Sequence, residues 1–132
     1  AAHPEAAILF SNVLGQLPAP AEDWRRLIAR HLSGHAWASY HDVISTTAPP
    51  KPGSEQALTI DDQSLETTLA HFWPGGTIEL TDHETFRLGG ERPHRYTVWQ
   101  ITRQRWHLVE WADNTGALLP GAPPPDQAQT ST

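Results

Sequence analysis

Residues 95–112 constrain the fold more than any other stretch of the chain. Over this run apolar and polar side chains alternate on both sides of Arg103-Gln104, a period of two that predicts two antiparallel strands joined by a tight turn. Alternation puts Trp106 on one face with Leu108 and Glu110, and His107 on the other with Val109 and Trp111. On the first strand Trp99 and Ile101 oppose Tyr96 and Val98. A two-residue turn would place Trp99 and Ile101 with Trp106 and Leu108, whereas a three-residue turn would place them with Val109 and Trp111. The turn lacks the Asn-Gly or Gly that would fix its type, so the register stays open. With either register, both faces of the hairpin carry a tryptophan. A sheet covered on one side should be apolar on one side only. Either both faces are covered, or one of them is a contact surface.

The first half of the chain has helical spacing instead. Residues 4–17 carry Ile8, Leu9, Val13 and Leu17 as a stripe after Pro4 and Glu5, which predicts a first helix ended by Pro18 and Pro20. Residues 21–32 predict a second, with Glu22 and Asp23 at its start, Arg30 and His31 at its end, and Gly34 beyond. Aromatic and β-branched residues make 36–45 a strand, followed by a proline-rich loop over 46–54 and a short strand over 56–60. Asp61-Asp62-Gln63-Ser64 offers caps to a third short helix over 65–73, which Pro74-Gly75-Gly76 ends. Strands are expected at 77–81 and 85–88. The order predicts an α+β domain: two N-terminal helices, a third short helix, and a mostly antiparallel curved sheet of about four to six strands closing on the C-terminal hairpin. Residues 1–116 make the single domain, and 117–132 a Pro-rich tail, disordered or loosely attached, too poor in apolar residues to order itself.

Composition removes several chemistries. There is no cysteine, so there is no disulfide, thiolate zinc site, iron–sulfur cluster or cysteine nucleophile. No apolar run is long enough to span a membrane. The absence of cysteine suits either redox compartment. Cytoplasm is the default, and secretion after removal of a signal peptide is the alternative, since the chain starts at Ala1. No cofactor motif is recognisable.

The net charge of −6 divides unevenly: residues 87–109 carry +4, leaving −10 on the rest. This basic strip coincides with the two-faced hairpin, and Arg with large aromatics is the composition that anchors macromolecular contacts. The candidate contact residues are therefore Arg87, Arg95, Trp99, Arg103, Arg105, Trp106 and Trp111. Secondary candidates for acid–base chemistry are His41, Asp42, His83 and His107, which would have to meet in one pocket. His31 and His35 have the i, i+4 spacing of two metal ligands on a helix, but Gly34 ends the helix before His35, and a helix C-terminus attracts imidazole without any metal.

These features favour a small non-enzymatic interaction domain, an accessory, inhibitor or regulator that binds a protein partner or a second copy of itself through the Arg/Trp hairpin. One alternative is a small-ligand binder or acid–base enzyme with a pocket between helices and sheet, by analogy with cone-shaped NTF2-like folds, which share the helices-then-strands order. A second is single-stranded nucleic-acid binding, through phosphate pairing and base stacking. It is disfavoured by the acidic remainder of the chain.

Overall fold

A computed structural model describes residues 6–12, 20–32 and 34–114. The elements in order are β1 (Ile8–Ser11), α1 (Ala21–His31), β2 (Trp37–Thr46), β3 (Leu58–Ile60), α2 (Leu65–Ala70), β4 (Leu80–Asp82), β5 (His94–Thr102) and β6 (Arg105–Asp113). The strands form one sheet in the order β1-β2-β6-β5-β3, with β4 also paired to β2. Among the described residues only the β1–β2 pair is parallel. The protein is thus α+β with a six-stranded, mostly antiparallel sheet and two helices among the described residues. The tail expected over 117–132 lies outside them.

Two expected elements fold differently. Ile8–Ser11, placed in a helix by its apolar stripe, is a strand in register with Trp37–Tyr40. Its burial alternates: Ile8 and Phe10 pack on the core while Leu9 is 64% exposed. Over so few residues the two periods are hard to tell apart, and pairing with the edge of β2 decides for the strand. Asn12, with φ of 53°, turns the chain out of it. Residues 4, 5 and 13–17 of the expected helix lie outside the described part.

The second correction is 85–88, expected as a strand and found as a turn. Arg87 has φ of 57°, which a strand cannot hold. The backbone N–H groups of Arg87 and Leu88 donate to the carboxylate of Glu110 instead of joining a strand ladder. β4 is likewise shorter than the expected 77–81 strand, and α2 stops at Ala70 rather than at Trp73. Ser64 caps α2 as its sequence predicts, its Oγ accepting from Thr67 N–H at 3.3 Å.

The hairpin register combines the two options that the sequence leaves open. The turn has two residues, with Thr102 opposite Arg105, but a bulge at Ile101 shifts the ladder so that Gln100 meets Trp106 and Trp99 meets His107. One extra residue moves Trp99 to the face of Val109 and Trp111. A second irregularity, at Val43, lets Val43 and Ile44 both enter the core.

One face of the sheet, here called inner, carries both helices. Val43, Ile44, Tyr96, Val98 and Leu108 pack with Phe72 and Trp73, Leu65 and Leu69 of α2 adding to the cluster. A second cluster joins Ile28 and Leu32, at the end of α1, to Trp37, Leu88 and Ala112. The Arg25 guanidinium of α1 donates to the Phe86 and Arg87 carbonyls at 3.0 Å each, tying helix to turn.

Gly89 sits where the turn touches the sheet: a Cβ there would lie 2.7 Å from His94 Nε2 and 2.8 Å from Ala112 Cβ. Gly89→Ala should therefore lose about 1–3 kcal/mol through overpacking. Gly34→Ala, with nothing within 4 Å of the added methyl, should stay within about 0.5 kcal/mol of the parent. Urea unfolding of both variants checks this, and equal midpoints would contradict the close approach.

Candidate functional site

Chemistry-bearing side chains gather at two places, one on each face of the sheet. On the inner face, Glu110 stands between the two apolar clusters, with Leu108 before it and Ala112 after it. It is fully buried. Its register partners are His41 on β2 and Tyr96 on β5. Its Oε2 accepts from Arg87 N–H at 2.6 Å and from the Tyr96 hydroxyl at 2.7 Å. Its Oε1 accepts from Leu88 N–H at 3.1 Å and has His41 Nε2 at 3.0 Å. That nitrogen also faces the Thr85 carbonyl at 2.9 Å, so it carries the ring proton.

Burial alone would push the Glu110 carboxyl upward. The hydrogen bond and charge of His41, with His94 and the Tyr96 hydroxyl, reverse this and hold it below its ordinary value. Burial lowers His94, against the pull of Glu110. His94 Nδ1 donates to the Arg92 carbonyl at 2.6 Å, while its Nε2 lies 3.9 Å from Glu110 with no hydrogen-bond partner. Tyr96 is pushed up, by burial first and then by the adjacent carboxylate. With four donors on one carboxylate and no exposed edge, the cluster is a structural anchor.

Arg87 belongs to this interior. The expectation that it lies on a contact surface is not met: it is 4% exposed, and its guanidinium donates to the carbonyls of Asp62 and Arg92 at 3.2 and 3.1 Å. Trp106 also faces inward, half-buried against the cluster that holds Leu108. Arg92, part of the basic strip, sits over the Trp37 ring at 4.7 Å.

The outer face carries the second gathering. Tyr40, Trp99 and Trp111 form an aromatic trio, with ring centroids 5.0 Å apart for Tyr40–Trp111, 5.7 Å for Tyr40–Trp99 and 5.9 Å for Trp99–Trp111. Their planes are tilted by 35°, 53° and 73°, so the rings pack on one another rather than lying flat as a platform. Val109, on the same face of β6 between His107 and Trp111, is fully buried, whereas Trp99 is 37% exposed. The Ser11 and Tyr40 hydroxyls are hydrogen-bonded to each other. Beside the trio, Asp42 Oδ2 lies 3.0 Å from His107 Nδ1, and the His83 ring centroid is 6.2 Å from that of His107. Arg95, opposite Trp111, donates to Thr59 Oγ1 and to the Ala57 carbonyl, holding β3 to β5. Arg103 and Arg105 are exposed at the hairpin tip.

Of the expected contact residues, Trp99, Trp111 and Arg95 therefore come together on one face, with Arg103 and Arg105 at its end. Of the acid–base candidates, Asp42 and His107 meet and His83 approaches, while His41 is sealed on the opposite face. A deep pocket was required for them, and none of these residues lines the cavities described below. His31 ends α1 and His35 lies past the helix end, so the two do not share a helical face. Among the described residues no group of three or more His, Asp or Glu is placed to hold a metal ion. No described helix is long and apolar enough to cross a membrane.

A cavity of about 400 Å³ lies beside α2, walled by Leu65, Leu69, Trp73, Ile78 and Leu80. A smaller one, about 240 Å³, opens between Arg25 and the 86–91 turn. Sequence reasoning missed Tyr40 and Glu110 as organising residues. For Glu110 a signal existed, an acid on the same face of the strand as Trp106, Leu108 and Ala112, which is otherwise apolar. For Tyr40 there was little, because the Val43 bulge breaks the alternation of β2. No known protein family, curated protein or solved structure matches the chain.

The pH dependence of stability follows from the inner cluster. Both His94 and Glu110 have folded values below their ordinary 6.5 and 4.5. Each therefore contributes stability that is complete above its ordinary value and is lost as pH falls toward the folded one. Unfolding free energy should be level above about pH 6.5, decline first through His94 and then more steeply below about pH 4.5 through Glu110. Glu110→Gln should lose at least about 1–3 kcal/mol at neutral pH by leaving donors unpaired, and should flatten the lower part of the decline. Urea titrations across pH check both; an unchanged slope in the variant would remove Glu110 from the account.

Proposed function

We propose that the chain is a small non-enzymatic interaction domain that docks a protein partner through the outer face of its sheet. The single observation carrying this reading is the Tyr40–Trp99–Trp111 trio on the face opposite the one that both helices cover. Large aromatics clustered around a buried centre, with arginines at the rim, are the composition of interface hot spots. Arg103 and Arg105 give the rim a positive edge suited to an acidic partner surface and to steering its approach. The tilted ring packing favours a shaped protein surface over stacked bases, so nucleic acid ranks below protein as the partner. A regulator or accessory role accords with this surface.

A second reading, a small-ligand binder, is favoured by the cavity beside α2. Its volume of about 400 Å³ falls within the usual range for ligand sites, and its walls are mainly apolar. The bulges at Val43 and Ile101 supply the local bending that a curved, cone-like sheet around a pocket needs. Acid–base catalysis has less support, because the Asp42–His107 pair lies on the open face.

Affinity capture with the parent protein and with Trp99→Ser and Arg105→Glu separates these readings. The docking reading expects a specific protein retained by the parent and lost or weakened tenfold or more on Trp99→Ser, with both variants melting near the parent temperature. Retention of the same proteins by all three baits would count against it. A labelled single-stranded oligonucleotide that binds the parent at low salt, with affinity falling steeply as salt rises, would favour nucleic acid instead.

A further inference from the structure

The aromatic face has a candidate occupant within the chain itself. β6 ends at Asp113, two residues beyond Trp111, and the sequence continues Asn114-Thr-Gly-Ala-Leu-Leu-Pro-Gly-Ala-Pro-Pro-Pro-Asp126. Pro120 and Pro123 stand in PxxP spacing, followed by Pro124 and Pro125. Proline-rich segments are preset for the extended left-handed polyproline helix and lay their rings against aromatic-lined surfaces, where little entropy is lost. The trio presents such a surface: its rings pack at 35° to 73° to one another, and Trp99 remains 37% exposed.

Resting on the docking reading above, we infer that the outer face binds polyproline-type segments, and that its resident occupant is this chain's own Leu118–Asp126. Reach and charge both fit. The face to be covered runs from Trp111 to the hairpin tip at Arg105, six residues and so roughly 20 Å of strand. Gly116, three residues past the end of β6, would permit the reversal that this path requires. From Leu118 to Asp126 is eight residues, roughly 25 Å in polyproline form. Laid back along β6, the prolines fall over the trio and Asp126 arrives beside Arg103 and Arg105, the exposed cations of the tip. A short covalent tether holds the segment at an effective concentration on the order of millimolar, so a weak contact is still populated. A partner carrying a similar segment would compete with the tail for the same rings.

The test uses the full chain, labelled with ¹⁵N, beside a variant of equal length in which Pro120, Pro123, Pro124 and Pro125 are serine. The inference expects the indole Nε1–H signals of Trp99 and Trp111 to differ between the two proteins, while that of Trp37 coincides. It also expects nuclear Overhauser contacts from proline ring protons to the Trp99 indole in the parent. Coincident Trp99 and Trp111 signals with no such contacts would overturn it. Signals that move on dilution would assign the occupant to a second copy and overturn the intramolecular form. The capture experiment separates this outcome from the reading beneath it. Loss of a partner on Trp99→Ser together with unchanged indole signals would remove the tail and leave docking standing. Proline contacts together with unchanged capture would do the reverse.

Discussion

The carboxylate of Glu110 is the contact on which the arrangement of this protein depends. It lies at the centre of the inner face and accepts hydrogen bonds from two strands and a turn at once. Each of its neighbours along β6 on that face belongs to a different apolar cluster, so the carboxylate sits at the seam between them. The turn over 85–90 is held from two sides: Glu110 takes the N–H groups of Arg87 and Leu88, and Arg25 of α1 donates to the carbonyls of Phe86 and Arg87. Placed between an anion and a cation, these peptide groups are satisfied without a strand partner. This is how a segment of strand-like composition can be a turn with Arg87 in the left-handed region. A buried charge of this kind is costly when any partner is removed, which specifies one packing over its alternatives.

The outer face is built differently. Val109 on this face is fully buried and the aromatic trio packs ring on ring, so the face contributes some local packing, yet Trp99 keeps more than a third of its surface in water. The bulge at Ile101 is what places it there. Without that extra residue, a two-residue turn would put Trp99 opposite Leu108, on the face that carries the core. A single-residue irregularity near the hairpin tip therefore moves one large aromatic from core to surface, consistent with the tendency of bulges to redirect a side chain where recognition happens.

Much of this was legible in the sequence, and the misses have physical causes. The hairpin, α1, β2 and the proline-bearing loop fall where periodicity and punctuation put them, because those signals are long or sharp. The presence of tryptophan on both faces follows from alternation alone. The register did not follow, since a bulge leaves no mark in Gln100-Ile101-Thr102 that composition can reveal. Ile8–Ser11 was misassigned because four residues cannot separate a helical stripe from an alternating one, and the partner strand lies almost thirty residues away. The basic strip is real as charge but only partly as surface: Arg103 and Arg105 are exposed, whereas Arg87 and Arg92 spend their guanidinium groups on carbonyls and an indole ring. Sequence counts charges, whereas only the fold shows which remain exposed. Glu110 was visible as an acid between Val109 and Trp111, but its four donors come from β2, β5 and the turn, far apart in the chain.

The central claim is a division of labour between faces, with the inner one holding the fold and the outer one proposed to serve contacts. Unfolding free energies of Trp37→Ala and Trp99→Ala, measured side by side in urea, test it most directly. Trp37 is 1% exposed and its truncation should cost about 3–5 kcal/mol. Trp99→Ala should cost less, about 1–2 kcal/mol, because more than a third of the residue is already in water. Equal, large losses at both positions would mean that the outer trio is part of the core, and the division between the faces would fail.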